Sequence, residues 1–190
     1  MLAMLIMRLC QKMIQIPITN EMRAAAELAE KRILASFKGN NKNYTGLSIE
    51  RRFYHGTLGE LAAVELLKQN GVRLKYAPKW GAGADDGDII VYANDYPCKV
   101  DVKTASQGFH EHLWIPEKQF TRYTYDGYIG VRLNGEIAEI FGYCAKKDFE
   151  KVTHHGTTVP NWGIPLADLK PMDKLYPKLD AGEAVIIIPT

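Results

Sequence analysis

The stretch 87–106 reads Gly87-Asp-Ile-Ile-Val-Tyr-Ala-Asn-Asp-Tyr-Pro-Cys-Lys-Val-Asp-Val-Lys-Thr-Ala-Ser106. Two runs rich in β-branched residues, 87–92 and 98–104, flank Asn/Asp/Pro turn chemistry at Asn94 to Pro97, and this combination predicts a β-hairpin. Side chains alternate along a strand, so Asp101 and Lys103 are expected on one side and Val100, Val102 and Thr104 on the other. Asp88 opens the first run and adds a second carboxylate. Converging carboxylates with a lysine beside them suit a hard divalent cation and phosphate chemistry, because Mg²⁺ prefers a few carboxylates plus waters and phosphate oxygens.

Upstream, Gly59-Glu60-Leu-Ala-Ala lies in a helical pattern. Asp88 followed thirteen positions later by Asp101-Val102-Lys103, with Glu60 on a preceding helix, resembles the core of the PD-(D/E)XK nuclease superfamily over residues 56 to 145. The pattern departs at Gly87, where proline is usual. The resemblance implies an α/β (α+β) fold, a central mixed β-sheet flanked by helices, built as a restriction-endonuclease-like core with an N-terminal helical extension. It divides a single domain into an extension (1–55), a core (56–145) and a C-terminal cover (146–190). It implies a metal-dependent endonuclease that hydrolyses phosphodiester bonds, with DNA as the expected polymer and Mg²⁺, or Mn²⁺ in its place, as cofactor. Asp88, Asp101, Lys103 and Glu60 are then the catalytic set. Asp88 and Asp101 bind the metal, Glu60 ligates directly or through water, and the Val102 carbonyl completes the sphere. Lys103 orients or deprotonates the attacking water. A homodimer is implied as well, since double-strand cutting commonly calls for two active sites. The competing reading is a non-catalytic nucleic-acid- or protein-binding protein, in which Asp101 and Lys103 form an ordinary ion pair on a sheet face. A phosphoesterase acting on nucleotides is the third.

Composition bounds these readings. The chain has 190 residues, 46% hydrophobic and 24% charged, which is the usage of an ordinary soluble domain. Its net charge of +2 gives no whole-molecule attraction to nucleic acid, so any such surface must be a local patch. Cys10, Cys98 and Cys144 are too few and too dispersed for a disulfide framework or a zinc knuckle, and an intracellular, cytoplasmic setting is expected. The apolar run 1–7 is too short to span a bilayer, so no membrane association is expected. Met4, Met7 and Met13 are alternative starts.

Along the chain, Thr19 to Phe37 predicts a helix with Thr19 or Asn20 as cap, followed by a polar loop in which Lys38 and Lys42 are candidate phosphate contacts. A second helix is expected from Gly56-Thr57 to Asn70-Gly71. Thr57-x-x-Glu60 matches a capping box, so Glu60 has two readings, a cap and a metal-side glutamate at the head of the Ala63, Val64, Leu67 stripe. Leu74 to Tyr76 predicts a strand. Asp85 and Asp86 are alternatives to Asp88 as ligands, and Lys79 is a candidate substrate contact. His110 and His112 alternate as on a strand. Pro116 to Tyr123 predicts a short helix in which Gln119 and Arg122 are candidate substrate-facing residues, and Trp80, Trp114 and Tyr123 can stack on bases. Asn134-Gly135 predicts a type I′ hairpin turn between 128–133 and 136–143, with Ile129, Val131, Ile137 and Ile140 inward. Lys146 to Val152 predicts a short helix, His154-His155 with Cys144 a weak zinc reading, and the Val-Ile-Ile-Ile tail an edge strand.

Overall fold

The computed structural model describes residues 13–36, 49–78, 80, 89–105, 111–152 and 161–189. Its centre is a mixed seven-stranded sheet in the order β1-β7-β6-β4-β3-β2-β10. These strands are β1 (Ile14–Pro17), β2 (Leu74–Tyr76), β3 (Ile89–Ala93), β4 (Tyr96–Ala105), β6 (Gly127–Asn134), β7 (Ile137–Ala145) and β10 (Ala184–Ile186). β4 pairs with β6 in parallel and β2 with β10 in parallel, whereas the remaining neighbours are antiparallel. A second sheet, ordered β5-β9-β8, joins β5 (His112–Pro116), β8 (Glu150–Val152) and β9 (Asn161–Pro165).

The β3–β4 hairpin forms as expected, but its loop is tighter. Asn94 and Asp95 alone make the turn, with φ of 52° and 64°, and Pro97 already pairs with Tyr92 inside the ladder. Positive φ at both loop residues is the type I′ geometry that Asn and Asp tolerate. Asp180 braces it, its carboxylate accepting from the Asn94 and Asp95 amides at 2.8 Å each. The β6–β7 turn differs from its expected type. Asn134 pairs with Ile137, leaving Gly135-Glu136 as the loop, and of these two only Gly135 has positive φ. Glycine at the first loop position gives type II′.

Two helices cover one face of the large sheet. In α1 (Asn20–Ser36) the Thr19 hydroxyl accepts from the Met22 amide at 3.3 Å, an N-cap, and the small Ala26 and Ala29 are completely buried. α2 spans Ile49–Gln69, so it begins a full two turns before the expected Thr57 and runs without a break through Gly56 and Gly59. It also crosses the 55/56 boundary drawn from sequence, and β1, from the same N-terminal stretch, pairs with β7 inside the sheet. Burial explains the longer helix. Leu58, Leu61, Ala62, Leu66 and Leu67 all enter the core, and such packing outweighs the roughly 1 kcal/mol that each glycine costs a helix interior. α2 ends as expected, with Gly71 at φ 66° and the Val72 amide donating to the Leu67 carbonyl at 3.1 Å.

Beneath the helices lie Val100, Val102, Ile89, Val91, Leu74, Tyr76, Ile129, Val131 and Ile140. The opposite face is covered over β6 and β7 by the small sheet and α3 (Glu117–Arg122), which opens at Pro116 as expected. Leu113, Ile115, Phe120, Tyr128, Phe149, Ile164 and Leu169 form that second core. The helix expected over 146–152 is a single 3₁₀ turn at Lys146–Asp148 followed by β8, because the ladder with β9 claims the backbone from Glu150 onward. Among the described residues, no helix is long and apolar enough to cross a membrane.

Gly59 sets the spacing between α2 and the sheet. A β-carbon there would overlap the Thr104 hydroxyl oxygen and lie 3.0 Å from both Thr104 Cβ and Cγ2. Rotating the threonine relieves only part of this, because Cβ stays at 3.0 Å and its branching keeps one substituent in the way. Gly59→Ala is therefore expected to destabilise the fold by about 1–3 kcal/mol through overpacking, read from urea denaturation. Adding Thr104→Ala should recover most of the loss, and an unchanged denaturation midpoint for Gly59→Ala would show that the helix is not seated this closely.

Candidate active site

Asp101 and Lys103 stand on β4, the strand at the middle of the large sheet. Val100, Val102 and Thr104 take the helix-covered side, so alternation turns Asp101 and Lys103 to the other face. There Lys103 Nζ lies 2.7 Å from Asp101 Oδ2, and the two side chains are 17% and 13% exposed. Both are mostly withdrawn from water, where an ion pair is stronger than at the surface and the loss of one partner is correspondingly costly.

The pair sits on a seam. On its β6 side, Asp101 aligns with the buried Tyr128 and Lys103 with Gly130. Gly130 lets the second core close down next to the lysine, since a β-carbon there would lie 2.5 Å from Leu169 Cδ1 and 3.1 Å from Leu113 Cδ1. On its β3 side the described residues of the same face include exposed lysines. Lys75 aligns with Ile90, and Ile90 with Lys99, all on this face. Lys75 and Lys99 are exposed and stand roughly 10 Å apart, two inter-strand steps. Arg73 places its guanidinium 4.3 Å from the Tyr92 ring centroid and pairs with Asp95 at 2.8 Å. Lys75, Lys99 and Lys103 thus form a basic row beside Asp101, the local patch that the net charge concealed. The spacing of Lys99, Asp101 and Lys103 at every second position carried part of that signal. The placement of Lys75 two strands away from β4 had none.

Glu60 approaches from α2 on the helix side. Its Oε2 accepts from the Tyr76 hydroxyl at 3.0 Å, and Tyr76 shares its ladder position with Ile89 and Val100. The capping-box reading is overturned, because Thr57 is buried in mid-helix rather than at a helix start. Asp88, Lys79, Asp85, Asp86, Lys38, Lys42, His110, His154 and His155 lie outside the described residues. Among the described residues, no three His, Cys, Asp or Glu side chains converge as a metal site.

The other candidates are spread out. Val102 is buried within β4. Gln119 and Arg122 belong to α3, which packs on the small sheet through Phe120, stacked on Trp162 at 4.3 Å between centroids. Arg122 is exposed over the Tyr123 ring at 5.3 Å. Trp114 points to the outer side of the small sheet, away from Asp101, so the expectation that it stacks on bases beside the pair is not met. Cys144 is buried in the second core, and burial pushes its thiol up to about 12, which suits an inert core thiol rather than a metal ligand.

No family model matches the chain, and no curated protein matches it. Among solved structures, Archaeoglobus fulgidus Hjc, a Holliday junction resolvase from an archaeal hyperthermophile, is similar at 13% identity over 66% of this chain and 90% of that one, with a TM-score of 0.38. At that identity and score the likeness assigns neither a family nor an activity.

The sheltered pair makes its own prediction. Asp101→Asn leaves Lys103 without its counter-charge and is expected to cost about 1–3 kcal/mol of stability, less than a fully buried pair would lose. Asp101→Asn with Lys103→Met should recover much of this. Chemical denaturation of the four proteins of the cycle measures the coupling, and additive losses would mean that the two side chains do not interact.

Proposed function

We propose that the protein is a metal-dependent nuclease that hydrolyses phosphodiester bonds, with DNA as the polymer. The observation that carries this reading is the sheltered Asp101–Lys103 pair beside the exposed Lys75 and Lys99 on one sheet face. A carboxylate suits a hard cation, an ammonium suits a phosphate, and a basic row suits a polyanionic backbone. Carboxylates such as Asp88 and Asp101 are donors of the kind that suits Mg²⁺ or Mn²⁺. Asp101 supplies hard oxygen, Asp88 immediately precedes β3 in the chain, and Glu60 reaches toward β2 from the helix side. In this proposal Asp88 and Asp101 hold the cation, with the Val102 carbonyl completing its sphere, while Glu60, bonded to Tyr76 on the helix-covered side of the sheet, supports the site from behind. A cation held there supplies Lewis-acid polarisation of the scissile phosphate. Lys103 exchanges its contact with Asp101 for the phosphate, offsets developing negative charge and orients the attacking water. Lys75 and Lys99 hold the strand by its phosphates without reading bases. Gln119, Arg122 and Lys79 are the further substrate contacts, and a homodimer would present two such sites.

The second reading is a non-catalytic nucleic-acid-binding protein. The Asp101–Lys103 contact favours it, since a neutralised pair can serve packing alone.

Cleavage of supercoiled, linear, single-stranded and branched DNA and of RNA, in Mg²⁺, Mn²⁺ or EDTA, separates the two. Products are expected only with metal, and Lys103→Ala or Asp88→Asn should lower the rate by about 100-fold or more. Lys75→Ala and Lys99→Ala should each weaken binding on all sequences and reduce its salt dependence by about one counterion. If wild type and Lys103→Ala bind nucleic acid equally and cut nothing, the non-catalytic reading stands.

A further inference from the structure

β1 and β10 stand at the two ends of the large sheet, and their edges differ in chemistry. β1 ends on the exposed Pro17, which has no N–H to offer a further strand, and carries the exposed polar Gln15. β10 has no such block. The stretch Ala184-Val-Ile-Ile-Ile-Pro189 contains no charged residue, and Val185, Ile186 and Ile187 are 46%, 39% and 52% exposed. Among the described residues only Tyr96 is a comparably exposed large hydrophobic side chain. An uncharged aliphatic edge is the kind that pairs with another strand unless something blunts it.

The backbone shows which groups face outward. The Leu74 amide donates to the Glu183 carbonyl at 3.4 Å, and the Ile187 amide donates to the Tyr76 carbonyl at 2.8 Å. Glu183 and Ile187 therefore face β2, and alternation turns the N–H and C=O of Ala184, Ile186 and Ile188 to the outer side. The side chains divide between the two faces of the sheet. Val185 aligns with Lys75 and shares its face, whereas Ile186 aligns with the buried Tyr76 and faces the helices. On that helix side an apolar groove of about 560 Å³ runs beside the edge, lined among others by Ile16, Met22, Leu61, Val64, Ile186 and Ile188. A strand added to β10 thus meets aliphatic surface on both of its faces.

We propose that a second copy of this chain supplies that strand, the two β10 edges pairing antiparallel about a two-fold axis at Ile186. The strand that fits must be uncharged and aliphatic on both faces, and β10 is itself such a strand. The second copy's Ile186 and Ile188 enter the groove, while Val185 and Ile187 pack against their counterparts across the pair. Each chain has one β10 edge and the pairing uses it up, so the contact closes at two copies. The two Lys75 side chains lie three inter-strand steps apart, roughly 14 Å, beyond the Debye length of about 8 Å at physiological salt, so they oppose the pairing little. Residues 184–188 with their groove contacts make a small interface, which sets the affinity in the micromolar range.

The pairing does not rest on the nuclease reading, but its consequence does. A two-fold axis normal to the sheet keeps both Asp101–Lys103 pairs on one side of a continuous sheet, seven inter-strand steps or roughly 33 Å apart along it.

Sedimentation velocity of the full chain over a concentration series is expected to show the mass rising from one chain to two. Val185→Lys and Ile187→Lys, both at exposed side chains, should each weaken the association by about tenfold or more and leave the urea midpoint of dilute protein unchanged, while Ile187→Val keeps the dimer. Hydrogen exchange at the Ile186 and Ile188 amides should slow as concentration rises. A chain that stays monomeric at every concentration would overturn the proposal. So would a dimer that both lysine variants leave intact, which would put the contact on another surface, or masses that climb past two copies, which would mean an open contact. Slow exchange at Ile186 and Ile188 in a dilute monomer would overturn it as well, because another segment would then already cover the edge.

Discussion

The packing of α2 onto β4 is the constraint on which the rest depends. β4 lies at the centre of a seven-stranded sheet, and its Val100, Val102 and Thr104 must meet a helix at close range if that face is to be dry. Gly59 permits the approach by offering no side chain where Thr104 stands. With the helix seated, the apolar residues of β4 are committed to one side. Alternation then commits Asp101 and Lys103 to the other. The polar pair is thus a consequence of how the hydrophobic face is satisfied.

That other face is divided. Over β6 and β7 it is sealed by the small sheet, brought close by the missing β-carbon of Gly130. Toward β3 and β2 it carries exposed lysines. A charged pair on the boundary has low-polarity surroundings on one flank and, among the described residues, exposed lysines beyond the other. Such a position can strengthen an electrostatic contact and still admit a ligand. The outer side of the small sheet has the opposite character, a cleft with Glu150 and Asp168 beside His112 and Trp114. A net charge of +2 is the sum of these unlike surfaces, and the sum describes neither.

Features encoded within a few residues were legible. The β3–β4 hairpin, the Thr19 cap, the stop at Gly71, the helix after Pro116 and the same-side placement of Asp101 and Lys103 all rest on local periodicity or turn chemistry. Where local signals competed, the reading slipped. Gly56 and Thr57 look like a helix start, yet core burial on both sides of them keeps the helix intact. Asn134-Gly135 looks like a type I′ loop, yet the cross-strand partner of Asn134 is Ile137, and the loop moves on by one residue.

From the amino-acid order alone came the strand alternation that faces Asp101 and Lys103 together, the mixed class of the fold and the apolar stripes of its helices. Only the tertiary structure decided that Lys75 joins the row of Lys99, that Tyr76 meets Glu60, and that β5, β8 and β9 form a separate sheet whose outer side holds Trp114. The reason is physical. Alternation and turn geometry are properties of a few adjacent backbone dihedrals, whereas the choice of strand neighbours depends on which whole faces can be buried against one another across long separations in the chain.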